Sequence, residues 1–188
     1  LFAAMNIIRI GTRASKLAIA QAQIVKDEIL RISPELNIAN IEIVKIKTSG
    51  DKFLDKNLND IGGKGLFTKE IEESLIAGDI DIAVHSVKDL PALLPDELQI
   101  TAVLKREDPR DVLIAKNCSN LEQLPESSII ATSSLRRKAI IRNIRPDIEL
   151  VDIRGNILTR LDKLKNQNID AIIIAAAGMK RIALAERI

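Results

Sequence analysis

Three ionisable side chains crowd into the five residues His85-Ser86-Val87-Lys88-Asp89, directly after the strand-like stretch 80–84 and before Leu90-Pro91. A buried strand that ends on such groups is expected to deliver them to a cleft, because an interior charge must be paired or neutralised. Read on its own, Asp89 also fits an ion pair with Lys88 or a turn cap before Pro91. His85 is the chain's single histidine. It cannot build a multi-histidine metal site, and a hydrogen-bonded structural role suits a lone histidine at a strand end.

A second chemistry is anion recognition. Three apolar runs are each followed by a turn with basic residues: Ser133-Ser134-Leu135-Arg136-Arg137, Arg154-Gly155-Asn156, and Ala176-Ala177-Gly178-Met179-Lys180-Arg181. In an open α/β sheet such turns gather at the carboxyl ends of the strands, where helix N-termini offer free N–H groups and a positive dipole end. Arg136 and Arg137 in a first helical turn oppose that dipole unless an anion offsets them. Arginine's planar fork suits a carboxylate. Residues 136–165 carry nine basic and four acidic side chains, a net of +5, which leaves −3 for the remainder of a chain whose total is +2. Lys138, Arg142, Lys163 and Lys165 read as solvated helix faces. Gly62-Gly63-Lys64-Gly65 lacks the strand and the Ser/Thr of a phosphate loop and is expected to be a mobile cover carrying one lysine.

Elements must position these groups. Strands are expected at 7–11, 41–48, 80–84, 98–104, 112–115, 128–132, 149–153 and 171–175, and helices at 16–31, 67–77, 135–144 and 157–166, with a turn at Ser49-Gly50-Asp51 and a loop at 52–66. The alternation predicts two α/β domains, 5–104 and 105–188, whose parallel or mixed sheets are covered on both faces. Of the 188 residues 46% are hydrophobic but only 2% aromatic, so Ile, Leu, Val and Ala must build the cores. No apolar run approaches the roughly 20 residues of a membrane span. The first residues carry no secretory signal pattern, which makes the cytosol the expected compartment, and Leu1 to Ala4 read as cloning or upstream reading-frame residues. The single cysteine, Cys118, excludes an internal disulfide framework.

From Met5 to Ile188 the chain resembles the porphobilinogen deaminase (hydroxymethylbilane synthase) family. The motifs are Arg9-Ile10-Gly11-Thr12-Arg13-Ala14-Ser15, Gly62-Gly63-Lys64-Gly65-Leu66-Phe67, Ala83-Val84-His85-Ser86-Val87-Lys88-Asp89-Leu90-Pro91, Arg106-Glu107-Asp108-Pro109-Arg110-Asp111, Thr132-Ser133-Ser134-Leu135-Arg136-Arg137 and Arg154-Gly155-Asn156. The resemblance implies two α/β domains of the type II periplasmic-binding-protein kind with mixed sheets around an inter-domain cleft, plus a third domain whose cysteine holds a dipyrromethane cofactor. It implies a monomeric transferase that condenses four porphobilinogen units, with loss of ammonia, into a linear tetrapyrrole. It further implies Asp89 as the catalytic carboxylate. Arg13, Lys64, Lys88, Ser134, Arg136, Arg137, Arg154 and Arg160 would bind the acetate and propionate groups of cofactor, substrate and growing chain.

Two departures accompany the resemblance. Asp60 stands where some relatives carry a basic residue. The chain is also expected to stop short of the cofactor-bearing domain and so to be inactive alone, since Cys118 does not match the cofactor cysteine. No metal, nucleic acid or membrane partner is expected. A non-catalytic carboxylate-binding protein would share the fold but does not require the His85 to Pro91 motif. A nucleic-acid module is disfavoured by the lack of Tyr and Trp for base stacking.

Overall fold

The computed structural model describes residues 7–52 and 65–188, which divide into two units, Leu1–Lys105 and Arg106–Ile188. In the first, isoleucine-rich runs form β1 (Ile8–Arg13), β2 (Ile41–Ile46) and a two-residue β3 (Ile82–Ala83), ordered β2-β1-β3 and parallel. Helix α1 (Lys16–Ile32) starts at Ser15, whose side chain accepts from the Ala18 N–H, and lies on the face of β1 that carries Ile8 and Ile10. Ile10 and Ala22 are fully buried there with Ile41. Gly11 points to the opposite face, where a Cβ would meet the Ile80 side chain at 2.2 Å.

Helix α3 (Lys69–Ile76) ends in a Schellman turn: Gly78 takes φ +75°, its N–H donates to Leu75, and the Asp79 N–H donates to Ser74. The expected turn at Ser49-Gly50-Asp51 is instead a single helical turn, α2 (Ser49–Lys52), whose Ser49 N–H and hydroxyl both donate to Glu70 of α3. The expected strand 98–104 is absent. Ile100, Val103 and Leu104 are exposed there, because a strand-like composition makes a strand only where a neighbour takes up its N–H and C=O groups. For the same reason β3 is far shorter than 80–84.

The second unit holds β4 (Asp111–Ala115), β5 (Ile129–Ala131), β6 (Glu149–Val151) and β7 (Ala171–Ala175), ordered β4-β7-β5-β6. β5, β6 and β7 are parallel, while β4 runs antiparallel to β7. Along β7, Ala171 and Ile173 pack toward Ile141 of α4 (Leu135–Ile144), and Ile172 and Ile174 pack toward Leu161 and Leu164 of α5 (Ile157–Asn166) and Met179 of α6 (Ala176–Arg181). Both faces are therefore covered, which is why β7 reads as an unbroken apolar run. Cys118 packs half-buried against the α4-side cluster.

Candidate functional site

Parallel pairing decides which residues meet in the first unit. Gly11 pairs with Ala83, and the Val84 N–H donates to the Gly11 carbonyl at 3.0 Å, so the chain beyond each strand emerges at the same edge. Arg13, at the end of β1, thereby comes beside His85 and Asp89. These three line a small pocket with Gln21, Phe67 and Ser86. The Arg13 guanidinium lies 4.1 Å from the centroid of the Phe67 ring, a cation–π contact. Ser86 and Gln21 exchange hydrogen bonds of 2.9 and 3.2 Å, anchoring the start of the 3₁₀ turn Val87–Asp89 to α1.

Lys88 and Asp89 on that turn are exposed, and β3 is only half-buried, so the charged cluster follows a short edge strand rather than a deeply buried one. His85 is partly buried. Desolvation pulls its pKa below the ordinary histidine range, aided by Arg13 and opposed by Glu72 and Asp89. Neutral imidazole is thus the favoured form. Lys88 lies on the turn but is not among the pocket-lining residues. Lys64 and Asp60, with the loop that holds them, lie outside the described residues, as do Leu1 to Ala4.

In the second unit, the carboxyl ends of β5, β6 and β7 share one edge, as their parallel register requires. The Ser133 hydroxyl ties the first two turns together, donating to the Ile153 carbonyl at 2.9 Å and accepting from its N–H at 3.1 Å. Ser134 caps α4 by accepting from the Arg137 N–H, and Asn156 caps α5 by accepting from the Thr159 N–H. Gly155, at φ +108°, makes the bend that brings Arg154 and Arg160 to this edge, and Arg160 Nε donates to the Gly155 carbonyl at 2.8 Å. Burial lowers the Arg160 pKa from the ordinary arginine range, and the charges of Arg137 and Arg154 lower it further. Arg160 is thus a partly buried cation with two further guanidinium groups near it, and a bound carboxylate would favour its charged form.

Several basic residues serve other ends. The third expected anion turn is helix α6, which begins directly after β7 and carries Lys180 and Arg181 in its last turn, where the dipole favours cations. Lys180 is committed to Asp108 at 2.9 Å. Lys138 is not a solvated side chain: it pairs with Asp152 at 2.8 Å and is 17% exposed. Arg145 donates to the carbonyls of Leu121 and Leu124 and to Asp147, so it is a bracket for the chain around it.

Asp111 also belongs to this edge, although no local pattern in the sequence singles it out. The anion that offsets Arg136 and Arg137 is this aspartate, 2.7 Å from Arg136 and 2.8 Å from Arg137. Burial alone would raise its pKa, but hydrogen bonds from Arg137 and Arg136 outweigh that and hold it below the usual carboxylate range. Its motif was visible. Its placement needed the antiparallel register of Asp111 with Ala175, which brings the start of β4 to the edge where β7 ends.

The family model described as "Porphobilinogen deaminase, dipyromethane cofactor binding domain" matches residues 8–188. The chain belongs to the porphobilinogen deaminase family. A porphobilinogen deaminase from Syntrophomonas wolfei is 54% identical over 98% of this chain and 59% of its own length. One from a Geobacter species (strain M21) is 50% identical over 98% of this chain and 57% of its own. The chain therefore spans under three fifths of the length of these porphobilinogen deaminases. Among solved structures, the methionine-binding protein MetQ aligns with 96% of this chain and 74% of its own, at 16% identity and a TM-score of 0.51. That likeness is one of fold, the α/β class of type II periplasmic-binding proteins.

Proposed function

We propose that the protein carrying this chain is a hydroxymethylbilane synthase that joins four porphobilinogen units into a linear tetrapyrrole. In each step the aminomethyl C–N bond of a unit breaks, ammonia leaves, and a new C–C bond forms to a pyrrole α-carbon that gives up its proton. Within the family context, the observation that carries this reading is the gathering of Arg136, Arg154 and the partly buried Arg160 at the edge where β5, β6 and β7 end, a cationic surface suited to carboxylates. Every porphobilinogen brings two, as acetate and propionate.

The donor set fits the dipyrromethane of the family description, which also carries acetate and propionate groups. When bound, that cofactor supplies the pyrrole carbon on which the chain grows. Arg136, Arg154 and Arg160 bind carboxylates, while Arg137 beside them is held by Asp111 and the Ile173 carbonyl and the Ser134 hydroxyl caps the helix that presents Arg136 and Arg137. In the first unit Arg13 and Lys88 add positive charge around Asp89. Asp89 assists the departure of ammonia and stabilises positive charge as it develops on a pyrrole nitrogen, the role that a fixed carboxylate performs most strongly where charge appears only in the transition state.

The test is porphobilinogen consumption by a protein of the relatives' full length that carries this chain. Consumption with release of ammonia is expected. Binding of porphobilinogen without ammonia release would replace the enzyme by a carboxylate-binding protein.

A further inference from the structure

Asp111 is the first residue of β4, paired in register with Ala175 at the end of β7. Both of its oxygens are engaged, and by different arginines. Oδ1 accepts from Arg137 Nε at 3.1 Å and Nη2 at 2.8 Å, while Oδ2 meets Arg136 Nη2 at 2.7 Å. Arg137 spends its remaining edge on the Ile173 carbonyl through Nη1 at 2.9 Å, and its side chain is only 13% exposed. Its three donating nitrogens all point at the protein, two at Asp111 and one at Ile173, so it is a fixed strut. Arg136 is held at one nitrogen and its side chain is 61% exposed. The two arginines that look equivalent in sequence are therefore not equivalent.

We propose that Asp111 is a positioning residue: it locks Arg137 in place and pins one edge of Arg136 so that the other edge is presented to an incoming carboxylate. This deepens, and rests on, the carboxylate-binding reading above. The physical need is clear from the first turn of α4, which contains no acidic residue and places two guanidinium groups at the positive end of the helix. Without a local anion, mutual repulsion and the dipole drive the exposed Arg136 side chain into solvent. With one carboxylate shared between two guanidinium groups, a single positive charge remains, fixed in direction, for the ligand.

Asp111→Asn separates the two arms of this clamp. Its amide oxygen can still accept from Arg137, but its NH₂ replaces the oxygen that accepted from Arg136. Two measurements follow. In the 188-residue chain, arginine side-chain N–H signals in NMR should show Arg136 released by D111N and Arg137 still protected. Release of both, or retention of Arg136, overturns the clamp. In the full-length protein, D111N should raise KM for porphobilinogen roughly fivefold, the scale of a half-exposed ion pair, with kcat changed by less than about twofold. Asp111→Glu, which keeps the charge, should recover part of the loss. Because the effect passes through Arg136, D111N placed on Arg136→Gln should add almost nothing. A second fivefold rise in that background, or equal falls in kcat and folded fraction with KM unchanged, assigns Asp111 a merely structural role and overturns the proposal. If the unsubstituted protein consumes no porphobilinogen, the functional reading fails, while the NMR measurement still decides the clamp.

Discussion

His85 and Arg160 both sit where burial disfavours their charged forms, yet with different consequences. For His85 the folded protein binds its proton less readily than the unfolded chain, whose histidine titrates near 6.5. Between the folded pKa and that value the unfolded state carries more protons, so stability falls as pH drops below about 6.5. Acid unfolding monitored by circular dichroism should begin at lower pH in His85→Gln. An unchanged profile would remove His85 as a source of acid sensitivity. For Arg160 the partly buried charge is retained, because arginine stays protonated, and the proposed ligand carboxylates would balance it instead. In the full-length protein Arg160→Gln should raise KM for porphobilinogen about tenfold or more, whereas the exposed Arg142→Gln should leave it unchanged. The sequence marked Arg160 only through family resemblance, since nothing in its helical spacing distinguishes it from its solvated neighbours.

At the scale of elements, what was legible depended on whether the signal was local. Helices α1, α4 and α5 begin where Ser15, Ser134 and Asn156 place their caps, and those residues sit immediately before apolar periodicity. β3 is shorter than its apolar pattern and 98–104 forms no strand, because strand length is set by a partner, which a local pattern does not contain. The turn after β6 offers a direct check on the site's scaffold. Asn156→Ala should cost about 1 kcal/mol in denaturant unfolding through loss of the cap. Gly155→Ala should cost more, since its φ of +108° strains any side chain and a Cβ would lie 2.7 Å from Thr159. A Gly155 variant as stable as the parent would mean that the turn can relax, and that the position of Arg154 is not set by this glycine.

At the scale of the whole molecule, the two small sheets among the described residues each bring candidate site residues to the carboxyl ends of their parallel strands. Their stability rests on aliphatic packing with almost no aromatic contribution. Ile172, fully buried at the centre of the second sheet, should lose about 2–5 kcal/mol on replacement by Ala, measured as a shift of the denaturant midpoint. The fold class followed from the alternation of elements. The pairing of Asp111 with the α4 arginines did not, because it depends on a strand direction that is visible only once the sheet is assembled. The proposed reaction centres on Asp89, on the exposed turn beside Arg13 and His85. Its most direct test is the rate of porphobilinogen consumption by the full-length protein carrying Asp89→Asn, an isosteric change that removes the charge. A fall in kcat of at least about 100-fold is expected, the lower range for a group acting in the transition state, in a protein that folds and unfolds as the parent does. Consumption at a near-parental rate would contradict it.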